Sequence, residues 1–70
     1  MTKKELIHRS DEILGGTPVF VGTRVPVQTL IDYLVEGDSL DDFLKDFPSV
    51  TRQQAQGVLE ILKDTLLAEA

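Results

Sequence analysis

The chain has 70 residues, a net charge of −5, no cysteine and a single histidine. That length allows one domain with a thin core, because small domains bury a smaller share of their surface, and the composition excludes a disulfide framework and a thiolate zinc site. Helix packing or oligomerisation is left as the source of stability, and a two-fold homodimer is the simplest assembly to expect.

The segment Met1–Arg9 has basic residues but no apolar run, so it does not read as a signal peptide. No stretch approaches the roughly 20 apolar residues that span a bilayer, and a soluble, cytoplasmic chain without membrane contact is expected. Charge is unevenly placed. Lys3, Lys4, Arg9 and Arg24 against Glu5, Asp11 and Glu12 make residues 1–24 net +1, whereas residues 25–70 are net −6. Phosphate backbones attract clustered Lys and Arg, so any nucleic-acid contact has to use the arm, with Lys3, Lys4, Arg9 and Arg24, or a locally favourable face of the body.

Between Gly15 and Val27 two glycine turns and two prolines surround a β-branched run. Thr17–Val21 reads as a short strand, since Val19, Phe20 and Val21 favour a pleated, half-buried surface. Gly22-Thr23 turns the chain, and Pro18, without an amide donor, confines the strand to an edge or stands at its first position. An exposed edge invites pairing with another chain, which makes Val19, Phe20 and Val21 expected contacts of a dimer or partner. Residues 1–25 thus read as an extended arm and residues 26–70 as a helical body, within one domain spanning 1–70.

Pro26 suits the first turn of a helix, after which Val27, Leu30, Ile31, Leu34 and Val35 recur at helical spacing until Gly37 stops it. Ser39 with Asp42 three positions on resembles a capping box, and Leu40, Phe43, Leu44 and Phe47 form the stripe that Pro48 ends. Thr51 caps the last helix with Gln54 at the reciprocal position. Its main stripe is Ala55, Val58, Leu59, Leu62 and Leu66. Ile61 and Leu67 lie partly outside the stripe, and Gly57 leaves a gap for a close partner helix, so Gly57, Ile61 and Leu67 join the expected interface. The pair of helices around Pro48-Ser49-Val50 has helix-turn-helix spacing. In such folds the second helix presents its first residues to base edges. Arg pairs with guanine and Gln with adenine there, which singles out Arg52, Gln53 and Gln56.

No catalytic motif is present. Asp32, Glu36, Asp38, Asp41, Asp42 and Asp46 fall on polar helix faces or in turns, and no nucleophile stands beside a base as acyl or phosphoryl chemistry requires. Gly22 is followed by Thr23-Arg24, not by the Lys and Ser or Thr of a phosphate-binding loop. No enzyme activity, cofactor or metal is expected.

The run Glu12-Ile13-Leu14-Gly15-Gly16-Thr17-Pro18-Val19-Phe20-Val21-Gly22-Thr23-Arg24-Val25-Pro26-Val27 resembles the bacterial "domain of unknown function 433" family, as do Gly37–Leu44 and Asp46–Thr51. The likeness covers roughly residues 10–62, and its motif falls on Gly16, Pro18, Gly22, Thr23, Arg24 and Pro26. The resemblance implies a mainly α fold: a three-helix, homeodomain-like helix-turn-helix bundle with a short N-terminal β arm or hairpin. It also implies an antitoxin-like role beside a PIN-like ribonuclease toxin, with repression of the promoter through weak double-stranded DNA binding. The expectation is therefore a non-enzymatic regulator that binds a partner and its own promoter. The alternative is an interaction or structural module that never meets nucleic acid.

Overall fold

The computed structural model describes residues 3–9 and 14–69. Element order is α1 (Lys3–Leu6), β1 (Ile7–His8), a 3-10 turn (Leu14–Gly16), β2 (Val19–Phe20), α2 (Val27–Val35), α3 (Leu40–Asp46) and α4 (Arg52–Glu69). The fold is mainly helical, with α3, a short turn and α4 in helix-turn-helix order and a two-stranded antiparallel sheet ahead of them.

Helix ends follow local chemistry. Pro26 takes an extended conformation as the cap of α2, one place before the helix, where its missing N–H is not needed. At the other end Gly37 has φ 93°. Its amide donates to Leu34 O at 3.1 Å and that of Asp38 to Tyr33 O at 2.9 Å, the paired bonds of a Schellman stop, which need a left-handed residue. Ser39 and Asp42 form the expected capping box on α3. On α4, Gln54 N donates to Thr51 Oγ1 and Thr51 N to Gln54 Oε1, both at 3.0 Å, so Gln54 fills the same reciprocal role.

The N-terminal segment forms the expected short β pairing, but not with an open edge at β2. β1 pairs with β2 in the register Ile7 to Phe20 and His8 to Val19, and Val21 N donates to Leu6 O at 2.9 Å. On its other side β2 meets Val25 and Pro26: Phe20 N donates to Val25 O and Val27 N to Pro18 O, each at 3.0 Å. The strand is therefore central in a small three-ply strip, not an edge. Pro18 is tolerated because its carbonyl, not its nitrogen, joins the ladder.

Leu6, Phe20, Leu30, Phe43, Val50, Ala55 and Val58 make one buried cluster. Two of these come from the N-terminal segment. Leu6 lies against Gly57, where a Cβ would come within 2.8 Å of Leu6 Cδ1. The gap expected to admit a partner helix is thus filled by the chain itself. All four aromatic rings join in one stack: Phe43 lies 6.0 Å from Phe20, 5.5 Å from Tyr33 and 5.1 Å from Phe47 between ring centroids. Their tilted and edge-on contacts add to burial. Tyr33 Oη donates to Asp46 Oδ2 at 2.7 Å, which ties α2 to the end of α3.

Because Leu6 is a core residue, Leu6→Ala is expected to lower unfolding free energy by about 2–5 kcal/mol, read from urea melts; a loss within about 0.5 kcal/mol would return residues 3–9 to the status of a loose arm. A second expectation concerns pH. The hydrogen bond to Asp46, then desolvation and the charges of Asp46, Asp38 and Asp42, raise the Tyr33 phenol above its ordinary 10.0. The folded chain holds that proton more tightly than the unfolded chain. The contribution is fully present below the unfolded value of about 10 and is lost as pH rises through the higher folded value. Tyr33 is the chain's single tyrosine, so its tyrosinate absorbance should titrate at higher pH in the native than in the urea-unfolded protein. Asp46→Asn should move the native midpoint back toward the unfolded one.

Candidate functional site

The first turn of α4 and the turn after β2 form one unit. Gly22, at φ 78°, lets the chain reverse between Phe20 and Thr23, a geometry an L side chain resists. Thr23 then closes the turn with both ends of its hydroxyl. Its Oγ1 donates to Phe20 O at 2.9 Å and accepts from Val25 N at 3.0 Å. Gln54 reaches across to this turn, its Nε2 donating to Val21 O at 2.9 Å. A single side chain therefore caps α4 through Oε1 and anchors the Val21–Arg24 turn through Nε2.

This arrangement ties the turn that bears Arg24 to the start of α4. Arg24 is exposed and has no ion pair among the described residues. Gln53 and Gln56 are also exposed, as the helix-turn-helix reading expects. Arg52 is different. Its guanidinium pairs with Asp41 of α3, so its charge is partly answered within the protein. Glu60 and Asp64 follow Gln53 and Gln56 along a shallow groove on α4, which adds negative potential where a phosphate would pass.

The other expected basic contacts are scattered. Arg9 donates from Nε to Gly16 O at 2.7 Å and lines a groove with Ile7, Pro18, Val27 and Ile31, on β1 and α2. Lys3 and Lys4 belong to α1, and their side chains lie outside the described residues. So do Ser10, Glu12 and Ile13. Of the motif positions, Gly16 serves Arg9, Pro18 and Pro26 border β2, Gly22 and Thr23 make the turn, and Arg24 is the one whose side chain is exposed.

The expected partner surface is corrected in most of its parts. Val19 and Phe20 are fully buried within the chain, because β2 pairs with β1 on one side and with the Val25–Val27 segment on the other. Val21 is half-buried and bonded through both amide N–H and carbonyl. Gly57 is covered by Leu6, and Ile61 packs against the core cluster. Only Leu67 remains open. It is joined by two leucines the sequence pattern assigns to the core stripe: Leu62, Leu66 and Leu67 are 37%, 59% and 65% exposed. The body ends near Ile61 while α4 continues to Glu69, so a stripe that is buried at Ala55 and Val58 has nothing to face beyond it. Periodicity marks which residues are apolar, not how far the opposing surface extends.

Among the described residues no three His, Asp or Glu side chains gather so as to hold a metal, and no helix is long and apolar enough to cross a membrane. The acidic side chains are spread over solvated faces, with Tyr33–Asp46 engaged in packing.

A family model described as "Protein of unknown function (DUF433)" matches residues 7–60. The chain is 39% identical over 51 residues to the uncharacterized protein y4eO of Sinorhizobium fredii (strain NBRC 101917 / NGR234), an alignment covering 73% of this chain and 23% of that protein. The chain thus matches about a quarter of the length of this curated relative. No solved structure matches it.

Gln54→Ala removes a cap and the tether to Val21 together. It is expected to cost about 1–3 kcal/mol, beyond the ~1 kcal/mol of an average cap alone, and to speed amide exchange at Thr23 and Val25. Thr51→Ala should cost only the capping part and leave exchange in that turn unchanged. Equal losses and equal exchange for the two variants would show that the tether contributes nothing.

Proposed function

The chain belongs to the DUF433 family, and from that premise we propose that it is a non-enzymatic, antitoxin-like regulator whose last helix binds a protein partner at one end. The observation that carries this reading is the row Leu62, Leu66 and Leu67, exposed by 37%, 59% and 65% at the overhanging end of α4. Leu62 and Leu66, four residues apart, share one helix face and Leu67 flanks it, and an apolar helix face of this kind can enter a groove on another protein. The net charge of −5 suits a basic partner, since opposite potentials steer encounter. A PIN-like ribonuclease in the cytoplasm, whose active-site rim must attract RNA phosphates, is the partner proposed.

A DNA-reading role for the other end of α4 rests on a separate observation: Gln54 ties the turn bearing Arg24 to the helix start that exposes Gln53 and Gln56. The Arg52–Asp41 pair and the acidic flank oppose it, so binding to promoter DNA is weak in this reading and depends on the partner complex.

Co-expression with a PIN-like ribonuclease encoded beside it tests the proposal. The wild-type chain should relieve the growth arrest and block RNA cleavage. Leu66→Asp with Leu67→Asp should weaken the complex at least tenfold, about 1.4 kcal/mol, whereas Arg52→Ala with Gln53→Ala should leave it unchanged. Failure of the wild-type chain to block cleavage would overturn the antitoxin reading. For the DNA end, Asp41→Asn frees Arg52 and should tighten binding to the upstream sequence in a gel shift, while Arg24→Ala should loosen it. No response to either change leaves the interaction module as the surviving account.

A further inference from the structure

Away from the end of α4, a second apolar face stands open on α2. Val27, Ile31 and Val35 recur four residues apart and form one ridge along the helix, with Leu34 beside it. Val27 and Ile31 are half-buried, whereas Leu34 and Val35 are 37% and 76% exposed. Val35 is the most exposed large apolar side chain among the described residues. At the start of the helix the ridge runs into a groove of about 570 Å³, whose walls include Ile7, Arg9, Pro18, Val27, Gln28 and Ile31.

Charge is ordered along this face. The register of β1 and β2, continued by one residue, sets Arg9 across from Pro18. Pro18 O accepts from Val27 N at 3.0 Å, so Arg9 lies by the first turn of α2. Its Nε is engaged by Gly16 O at 2.7 Å, and the terminal nitrogens are the pair that forks onto a carboxylate. Next to the apolar ridge runs a polar one, Gln28, Asp32 and Glu36, neutral at the end near Arg9 and acidic at the other. Gln28 Nε2 donates to Asp32 Oδ1 at 2.9 Å, while Glu36 is the exposed C-cap of the helix. Arg9 and Glu36 thus mark opposite ends of about 14 Å of helix.

Such a face is its own complement when it is reversed. A two-fold axis at Ile31 that lays α2 antiparallel on its equivalent keeps like ridges on the same side and inverts their order. Val35 of one copy then enters the groove beside Val27 of the other, Ile31 meets Ile31, and Glu36 comes to Arg9. A parallel pairing would instead set Arg9 on Arg9 and Glu36 on Glu36, which repel. We infer that α2 is the two-fold interface of a homodimer, with Val35 seated in the groove of the second copy and Glu36 on its Arg9. Ridges of four-residue spacing interdigitate when two helices cross at roughly −50°. One helix tip in one groove falls short of the roughly 1,000 Å² that a specific interface needs, and the symmetry repeats the contact. This interface shares no residue with the leucines at the end of α4. Each copy in the dimer therefore still offers Leu62, Leu66 and Leu67 to a partner.

Sedimentation equilibrium on the full chain, with circular dichroism to confirm folding, tests this by charge exchange. The wild-type chain should dimerise with a dissociation constant on the order of micromolar. Val35→Asp should abolish the dimer. Arg9→Glu alone and Glu36→Arg alone should each raise the constant by about tenfold or more, and the double variant should bring it back to within about threefold. Leu66→Asp with Leu67→Asp should leave it unchanged. A wild-type chain monomeric at millimolar concentration, a dimer indifferent to Val35→Asp, or no recovery in the double variant overturns the inference. So does a dimer that is lost with the two leucine changes, since that would move the contact to the end of α4.

Discussion

Helices of nine, seven and eighteen residues do not close a core by themselves, and the insertion of Leu6 and Phe20 from the N-terminal segment makes this one possible. Leu6 sits over Gly57, the one helical position with no side chain to refuse it. Phe20 enters the aromatic stack through Phe43. Each buried side chain of this size contributes about 1.5–3 kcal/mol, a large part of the margin by which a small domain is folded. The glycine at Gly57 weakens α4 by about 1 kcal/mol in propensity, and the packing of Leu6 offsets that loss. Cutting the N-terminal segment away would therefore remove core, not decoration.

The motif region gains its meaning from this packing. Gly22 and Thr23 shape a turn, the turn offers the carbonyl of Val21, and Gln54 joins that carbonyl to the cap of α4. Local turn chemistry and helix capping, which are independent rules in a sequence, become one connection in space. Its result is a fixed place for the Val21–Arg24 turn relative to the first turn of α4. Such preorganisation lowers the ordering cost of binding, whatever is bound there.

α4 divides into two ends with opposite character. At its start lie polar side chains, a cap and an ion pair with Asp41; at its finish lie leucines without an opposing surface. A continuous helix carries both on one rigid rod of about 27 Å, at 1.5 Å per residue. α4 is continuous from Arg52 to Glu69, so displacement of the rod is the direct way for contact at one end to reach the other.

The sequence by itself determined the three helices, their caps at Ser39 and Thr51, the stop at Gly37 and the turn at Gly22, because each depends on neighbours within four residues and on backbone sterics. It also showed that the last helix carries more apolar side chains than one stripe needs. The tertiary structure decided which of them are covered. β2 became central, so Val19 and Phe20 went inside; Leu6 took the space at Gly57; and the body ended near Ile61, leaving Leu66 and Leu67 in water. α1 and β1 were illegible for the same reason: four- and two-residue elements have no periodicity of their own and exist only because β2 and α4 pair with them. Short-range chemistry is written in adjacent residues, whereas burial is a property of which distant surfaces meet and where each of them stops.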